Sequence, residues 1–136
     1  MRGLRVAAVL LLGALNTATR ADSSCLEYGP AEVALEGLVE VVTFPGVGVE
    51  PFERNVVLQL RRSICLSGSH GLTLEDRSNT PMSNVRRIVL AFSNSAEEAH
   101  AIALRRVNVT GTLWRAETGH FSEDLAMTVT GLKAER

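Results

Sequence analysis

Residues 85–115, VRRIVLAFSNSAEEAHAIALRRVNVTGTLWR, decide the fold. The apolar run Ile88-Val89-Leu90, with Phe92 just beyond, is too continuous for a strand with one wet face. It reads as a strand over 85–92 buried on both sides, with Arg86 and Arg87 at its entrance. Ser95-Ala96-Glu97-Glu98 then matches a capping box, in which a serine hydroxyl accepts a first-turn N–H and the acids lie at the positive end of the helix dipole. Ala99, Ile102, Ala103 and Leu104 form a narrow apolar stripe, and Arg105 and Arg106 suit the negative end, so a helix is expected over about 96–105. Its small buried face suits a plug at a barrel end. From 106 to 115 the period changes to two, with Val107, Val109, Gly111 and Leu113 alternating against Asn108, Thr110, Thr112 and Trp114. That is a half-buried strand.

On the C-terminal side, Leu125, Met127 and Val129 repeat the alternation over 125–132 and leave 117–124 as a loop. On the N-terminal side, Val33, Leu35, Gly37, Val39 and Val41 mark a long strand over 32–44. Gly37 suits a bend or bulge, because a residue without a Cβ tolerates close approach. Phe44-Pro45-Gly46-Val47-Gly48 breaks that strand with three turn formers. A second strand covers 55–60, with Ile64-Cys65-Leu66 as a short continuation, and the polar stretch 67–84 reads as a long surface loop. Strand, strand, strand, helix, strand, strand is the order of an OB-fold, a mainly β, five-stranded Greek-key barrel with one helix between strands three and four. Val109-Thr110-Gly111-Thr112-Leu113 and Val129-Thr130-Gly131-Leu132 read as one solution to barrel curvature used twice.

Ahead of this domain, Arg2 and Arg5 precede an uncharged run over 6–15 and a small-residue exit at Ala21, the pattern of a secretory signal peptide over 1–21. The apolar run is half of what a spanning helix needs, so no stable membrane anchor is expected after cleavage. The remaining 22–136 is one domain's worth of chain. Arg2, Arg5 and Arg20 leave with the leader and no acid does, so 14 bases against 15 acids become 11 against 15, a formal charge of −4. That balance disfavours nucleic acid as a partner. Export, to the periplasm or beyond the cell, also puts Cys25 and Cys65 in an oxidising compartment, where the two permit one intramolecular disulfide. The alternative, a reactive thiol or metal site, has no CxxC spacing to support it.

Several short motifs also resemble a bacterial family of small exported proteins catalogued only as a domain of unknown function. They are Cys25, Tyr28, Pro30, Leu35 and Gly37, then Phe44-Pro45-Gly46, then Cys65, and finally Val109-Thr110-Gly111-Thr112-Leu113 with Thr118-Gly119-His120. The resemblance spans most of 25–130 and implies no activity. Members often carry further histidines after Thr-Gly-His and a longer loop after Phe-Pro-Gly; this chain has Phe121-Ser122-Glu123-Asp124 and a short 47–54 in those places.

His70, His100 and His120 fall in three different elements without metal-ligand spacing, and no G-x-S-x-G elbow is present, so no catalytic residue, metal ligand or cofactor is assigned. Glu97-Glu98 is accounted for by helix capping and Glu123-Asp124 by a loop tip. Strands one and two, and four and five, are joined by the loops through which OB-folds commonly contact ligands. The ligand-binding candidates are therefore Phe44, Pro45 and Gly46 at one loop and Trp114, Thr118, Gly119 and His120 at the other. Trp114 falls on the strand face opposite Leu113, where a flat ring can stack on a ligand. The expectation is a monomeric, exported, non-enzymatic domain that binds a small molecule, a glycan or a protein. The alternatives are a metal-dependent hydrolase using His120 with Glu123 or Asp124, and an inhibitor of an envelope enzyme.

Overall fold

A computed structural model describes residues 24–49, 51–68, 79–116 and 119–135. The leader 1–21, His70, Thr118 and most of the expected loop 67–84 lie outside the described residues. Five strands appear in chain order: β1 (Val33–Pro45), β2 (Phe52–Leu66), β3 (Met82–Ala91), β4 (Arg106–Arg115) and β5 (Leu125–Ala134). One helix, α1 (Ser95–Leu104), joins β3 to β4. The strands close into a barrel in the order β1-β2-β3-β5-β4, with β4 returning to β1. Four ladders are antiparallel and β3 against β5 is parallel. This is the Greek-key barrel of the OB-fold.

The inward alternation of β4 and β5 is as the sequence indicates. Val107, Val109, Leu113, Leu125, Met127 and Val129 are buried, together with Leu58 and Ile88 from the facing strands. In β1, Val39 is buried but Val41 is exposed at the barrel mouth. Strand β2 is longer than expected, running unbroken from Phe52 to Leu66, and β3 begins at Met82, three residues early. Two glycines make the closure possible. A Cβ on Gly37 would lie 2.2 Å from the Gln59 carbonyl oxygen, and one on Gly111 would lie 2.1 Å from that of Thr128, so neither site accepts a side chain. Gly37 pairs with Leu60 of β2 and Val107 of β4, and Leu38 with Gln59 and Arg106, so these two residues are where β1 passes from one neighbour to the other. Gly131 has no such close neighbour, so the curvature device is used at Gly111 and not repeated in β5.

The helix cap sits one residue earlier than the capping-box reading. Asn94, not Ser95, is the N-cap: its Oδ1 accepts the Glu97 N–H at 2.8 Å, while the Glu97 carboxylate accepts from the Ser93 hydroxyl. Asn and Ser are near-equal caps, so composition alone could not separate them. The buried face is Ala101 with Ile102 and Leu104, whereas Ala99 and Ala103 are exposed. Arg105, with φ of 63°, ends the helix and returns its N–H to the Ala101 carbonyl.

Cys25 and Cys65 form a disulfide, and beside it Leu26 makes a short parallel bridge with Leu66. The entering chain then crosses to β4, where the Gly29 N–H meets the Leu113 carbonyl. Tyr28 is buried and donates its hydroxyl to the Thr80 carbonyl.

Candidate ligand face and its loop strap

The barrel carries a second apolar layer on its outer surface. Glu40, Val57, Val89, Ala126 and Trp114 are register partners in sequence around β1, β2, β3, β5 and β4, and all lie on the outward face. Val57, Val89, Ala116 and Ala126 are buried there although they point away from the barrel interior. They are covered by Val42, Trp114 and Phe121. This explains the continuous burial of Ile88-Val89-Leu90, which the sequence indicates: Ile88 and Leu90 face inward, and Val89 faces this outer layer.

The cover comes from the loop between β4 and β5, whose residues 119–124 lie back over the sheet. Phe121 meets Trp114 edge-on, with ring centroids 5.3 Å apart at 82°. Trp114 is therefore half-buried, with its Nε1–H donating to Thr128 Oγ1, and its ring serves packing within the chain. Around Phe121 the loop is fastened by polar groups. Asn55 accepts the Ser122 N–H at 2.7 Å on its Oδ1 and donates its Nδ2 to the His120 carbonyl at 3.3 Å. Glu123 pairs with Arg87, which also pairs with Glu40. Glu123 is thus half-buried and engaged, while Asp124 beside it in the same loop is exposed.

The strap also touches the loop between β1 and β2. His120 Nδ1 lies 2.5 Å from Glu53 Oε1, its Cε1 would be 4.0 Å from a Cβ on Gly48, and Gly119 presses so closely on Val47 that a Cβ would come within 2.5 Å of its Cγ1. Of the candidates named from sequence, the structure brings Gly119 and His120 against the 46–51 loop. Phe44 is half-buried on β1, Pro45 is exposed, and the Gly46 N–H closes the turn on the Pro51 carbonyl. The acid beside His120 is Glu53, and Glu123 is held away from it by Arg87. Among the described residues, no group of three or more His, Cys, Asp or Glu side chains is placed to hold a metal ion.

One groove follows from this arrangement. It lies between β2, β3, the first turn of α1 and the strap, has a volume of about 350 Å³, and is lined by Arg54, Asn55, Ala91, Phe92, Glu98 and Phe121. Arg54 and Glu98 face each other across it at 3.3 Å. Sequence reasoning missed Asn55, Arg54 and Phe121. The aromatic at 121, directly after the loop's Gly119-His120, was the available signal, but only the strap's path over the sheet reveals its partner.

The hairpin of β1 and β2 extends past the strap and ends in an exposed apolar tip: Val47 is 62%, Val49 99% and Phe52 64% accessible. No helix among the described residues is long and apolar enough to cross a membrane. No family model, curated protein or solved structure matches the chain.

Proposed function

We propose that this chain is an exported, non-enzymatic binding domain of the bacterial envelope that takes a short oligosaccharide in the groove between β2, β3 and the Phe121 strap. The carrying observation is the groove's chemistry. Phe92 and Phe121 supply apolar ring surface, and Asn55, Arg54 and Glu98 supply planar polar groups at the same opening. Such a pairing suits the C–H face and the hydroxyls of a sugar. OB-folds place oligonucleotides or oligosaccharides on this part of the barrel, and here fold analogy narrows the choice to those two. The charge decides between them. Arg54 is matched by Glu98, so the groove offers no surplus cation to a phosphate backbone, and the mature chain is itself acidic. The leader pattern, the Cys25–Cys65 disulfide and the motif resemblance to exported domains support an envelope or extracellular location.

The test is a titration of the purified protein with a panel of neutral and acidic oligosaccharides, followed by backbone amide NMR. Shifts are expected at residues 54–55, 91–92 and 119–123, and Phe121→Ala and Arg54→Ala should each weaken binding by about tenfold or more. Millimolar sugars that move none of these amides would refute the reading.

The exposed Val47, Val49 and Phe52 favour a second reading, in which the hairpin tip enters the cleft of an envelope enzyme as an inhibitor. Pull-down from periplasmic extract with the native protein and with a Val49→Ser, Phe52→Ser variant tests it. An enzyme retained and inhibited by the native protein alone is the expected result; equal retention by both proteins counts against it.

A further inference from the structure

We propose that the seam between the first part of β1 and the last part of β2 docks an extended peptide segment bearing a carboxylate, which adds to the barrel as a short extra strand. The ladder between β1 and β2 ends at Gly37 and Leu60. Beyond it, residues 33–36 of β1 pair with β4 alone. Strand β2 meanwhile continues to Leu66 and leaves β3 as well, because the register slips between the Gln59–Arg87 and Ile64–Val85 pairs. Arg61, Arg62 and Ser63 are consequently three consecutive exposed residues in extended backbone, with no ladder partner in the described β1 or β3.

The direction of the backbone groups follows from the hydrogen bonds on either side. Val39 donates its N–H toward β4, to the Arg105 carbonyl, while Gly46 donates toward β2, to the Pro51 carbonyl. Groups alternate sides along an antiparallel strand, so Ala34 aims its N–H and C=O at β2, into the seam. On the opposite wall, Cys65 offers its carbonyl and Ser67 its N–H to Leu26, so the β2 edge beyond the ladder is turned toward the entering chain and the cleft. Among the described residues, neither Ala34 on the β1 side nor Arg61–Ser63 on the β2 side has a ladder partner across the cleft, so two strand edges face each other there. Such edges are templates for strand addition, and backbone bonds to them are the affinity that an incoming strand gains.

The cleft is shaped for that occupant. Its volume is about 400 Å³, with a floor of Leu35, Leu60 and Ile64 and a rim of Glu36, Arg61 and Arg62. Leu35 and Ile64 are half-buried and pack onto the core, so the floor is preformed. The Leu26–Leu66 bridge closes the far end, leaving about 16 Å of β2 at the usual rise per residue, room for a strand of four or five residues. The charge specifies the side chain. Arg61 is already held by Glu36 and Glu135, whereas Arg62 is exposed and, among the described residues, in no ion pair. Its planar guanidinium suits a bidentate carboxylate. This site lies at the other end of the β1–β2 ribbon from the oligosaccharide groove and does not depend on it.

The experiment is selection of phage-displayed random octapeptides on the purified, disulfide-bonded protein, followed by amide NMR with the enriched peptides. The expected peptides alternate β-branched residues with an Asp or Glu and shift the amides of residues 34–36 and 61–64. N-methylation of alternate peptide amides and the Arg62→Glu substitution should each weaken binding at least tenfold, while Phe121→Ala changes it less than twofold. Absence of enriched peptides overturns the proposal, as does binding that survives both N-methylation and Arg62→Glu. Binding lost in Phe121→Ala and not in Arg62→Glu also overturns it, and assigns the peptides to the other groove.

Discussion

The inner and outer apolar layers of the barrel share the same five strands but differ in what assembles them. The inner layer is supplied by alternate residues of every strand and sealed by α1, so each of its members is surrounded by contacts from several elements. The outer layer rests on four small or medium side chains, Val57, Val89, Ala116 and Ala126, and depends on Val42, Trp114 and the strap's Phe121 to exclude water. The first is the stability of the fold. The second is a local closure that can fail while the barrel persists, the pattern in which binding loops are usually found.

The largest effect should come from the inner layer. Leu113→Ala removes a fully buried side chain from β4 and should cost about 3–5 kcal/mol, read as a cooperative shift in denaturant midpoint with an unchanged slope. Next is the disulfide. A Cys25→Ser, Cys65→Ser double variant releases a loop closed over a sequence separation of 40 and should lose up to about 4 kcal/mol on the chain-entropy estimate, seen as a lower Tm under non-reducing conditions. Phe121→Ala would separate the two layers. It should cost only about 1–2 kcal/mol, half-buried as Phe121 is, but should raise hydrogen exchange at Ser122 and its neighbours while leaving β4 and β5 protected. If it instead lowered protection throughout the barrel, the distinction between the layers would collapse. Asn94→Ala, which removes the helix cap, should cost about 1 kcal/mol by thermal melt. Arg54→Ala acts on an ion pair with an exposed guanidinium and should change stability by less than about 1 kcal/mol, so any larger loss of ligand affinity in that variant reads the groove and not the fold.

Much of the inner layer was legible before the structure, because a two-residue period in β4 and β5 states which side chains share a face without naming the partner strand. Gly37 and Gly111 were legible for a similar reason: a glycine within an otherwise β-branched strand marks a place where backbone must pass close. The outer layer was legible only at Val89, within the continuous run, since Ala126 stands at a position where the alternation assigns solvent. The burial of the rest depends on where residues 119–124 lie, which no local pattern encodes. The same limit applies to the groove. Asn55 is an unremarked strand residue until the Ser122 N–H and His120 carbonyl arrive at its amide. The cap at Asn94 was missed by one residue because Ser93, Asn94 and Ser95 all satisfy the chemistry, and only the backbone of Asn94, at φ −155° and ψ 165°, selects it.

Gly37 has a further consequence, for solubility. With Leu38 it is where β1 holds β2 on one side and β4 on the other, and the space for its Cβ is already taken by the Gln59 carbonyl. A methyl group there would lie 2.2 Å from that oxygen, so β1 and β2 would have to part locally and lengthen the unpaired edge beside them. Open edges recruit other chains. The bare backbone at position 37 therefore keeps the unpaired edge short, confined among the described residues to the seam between Ala34 and Arg61–Ser63.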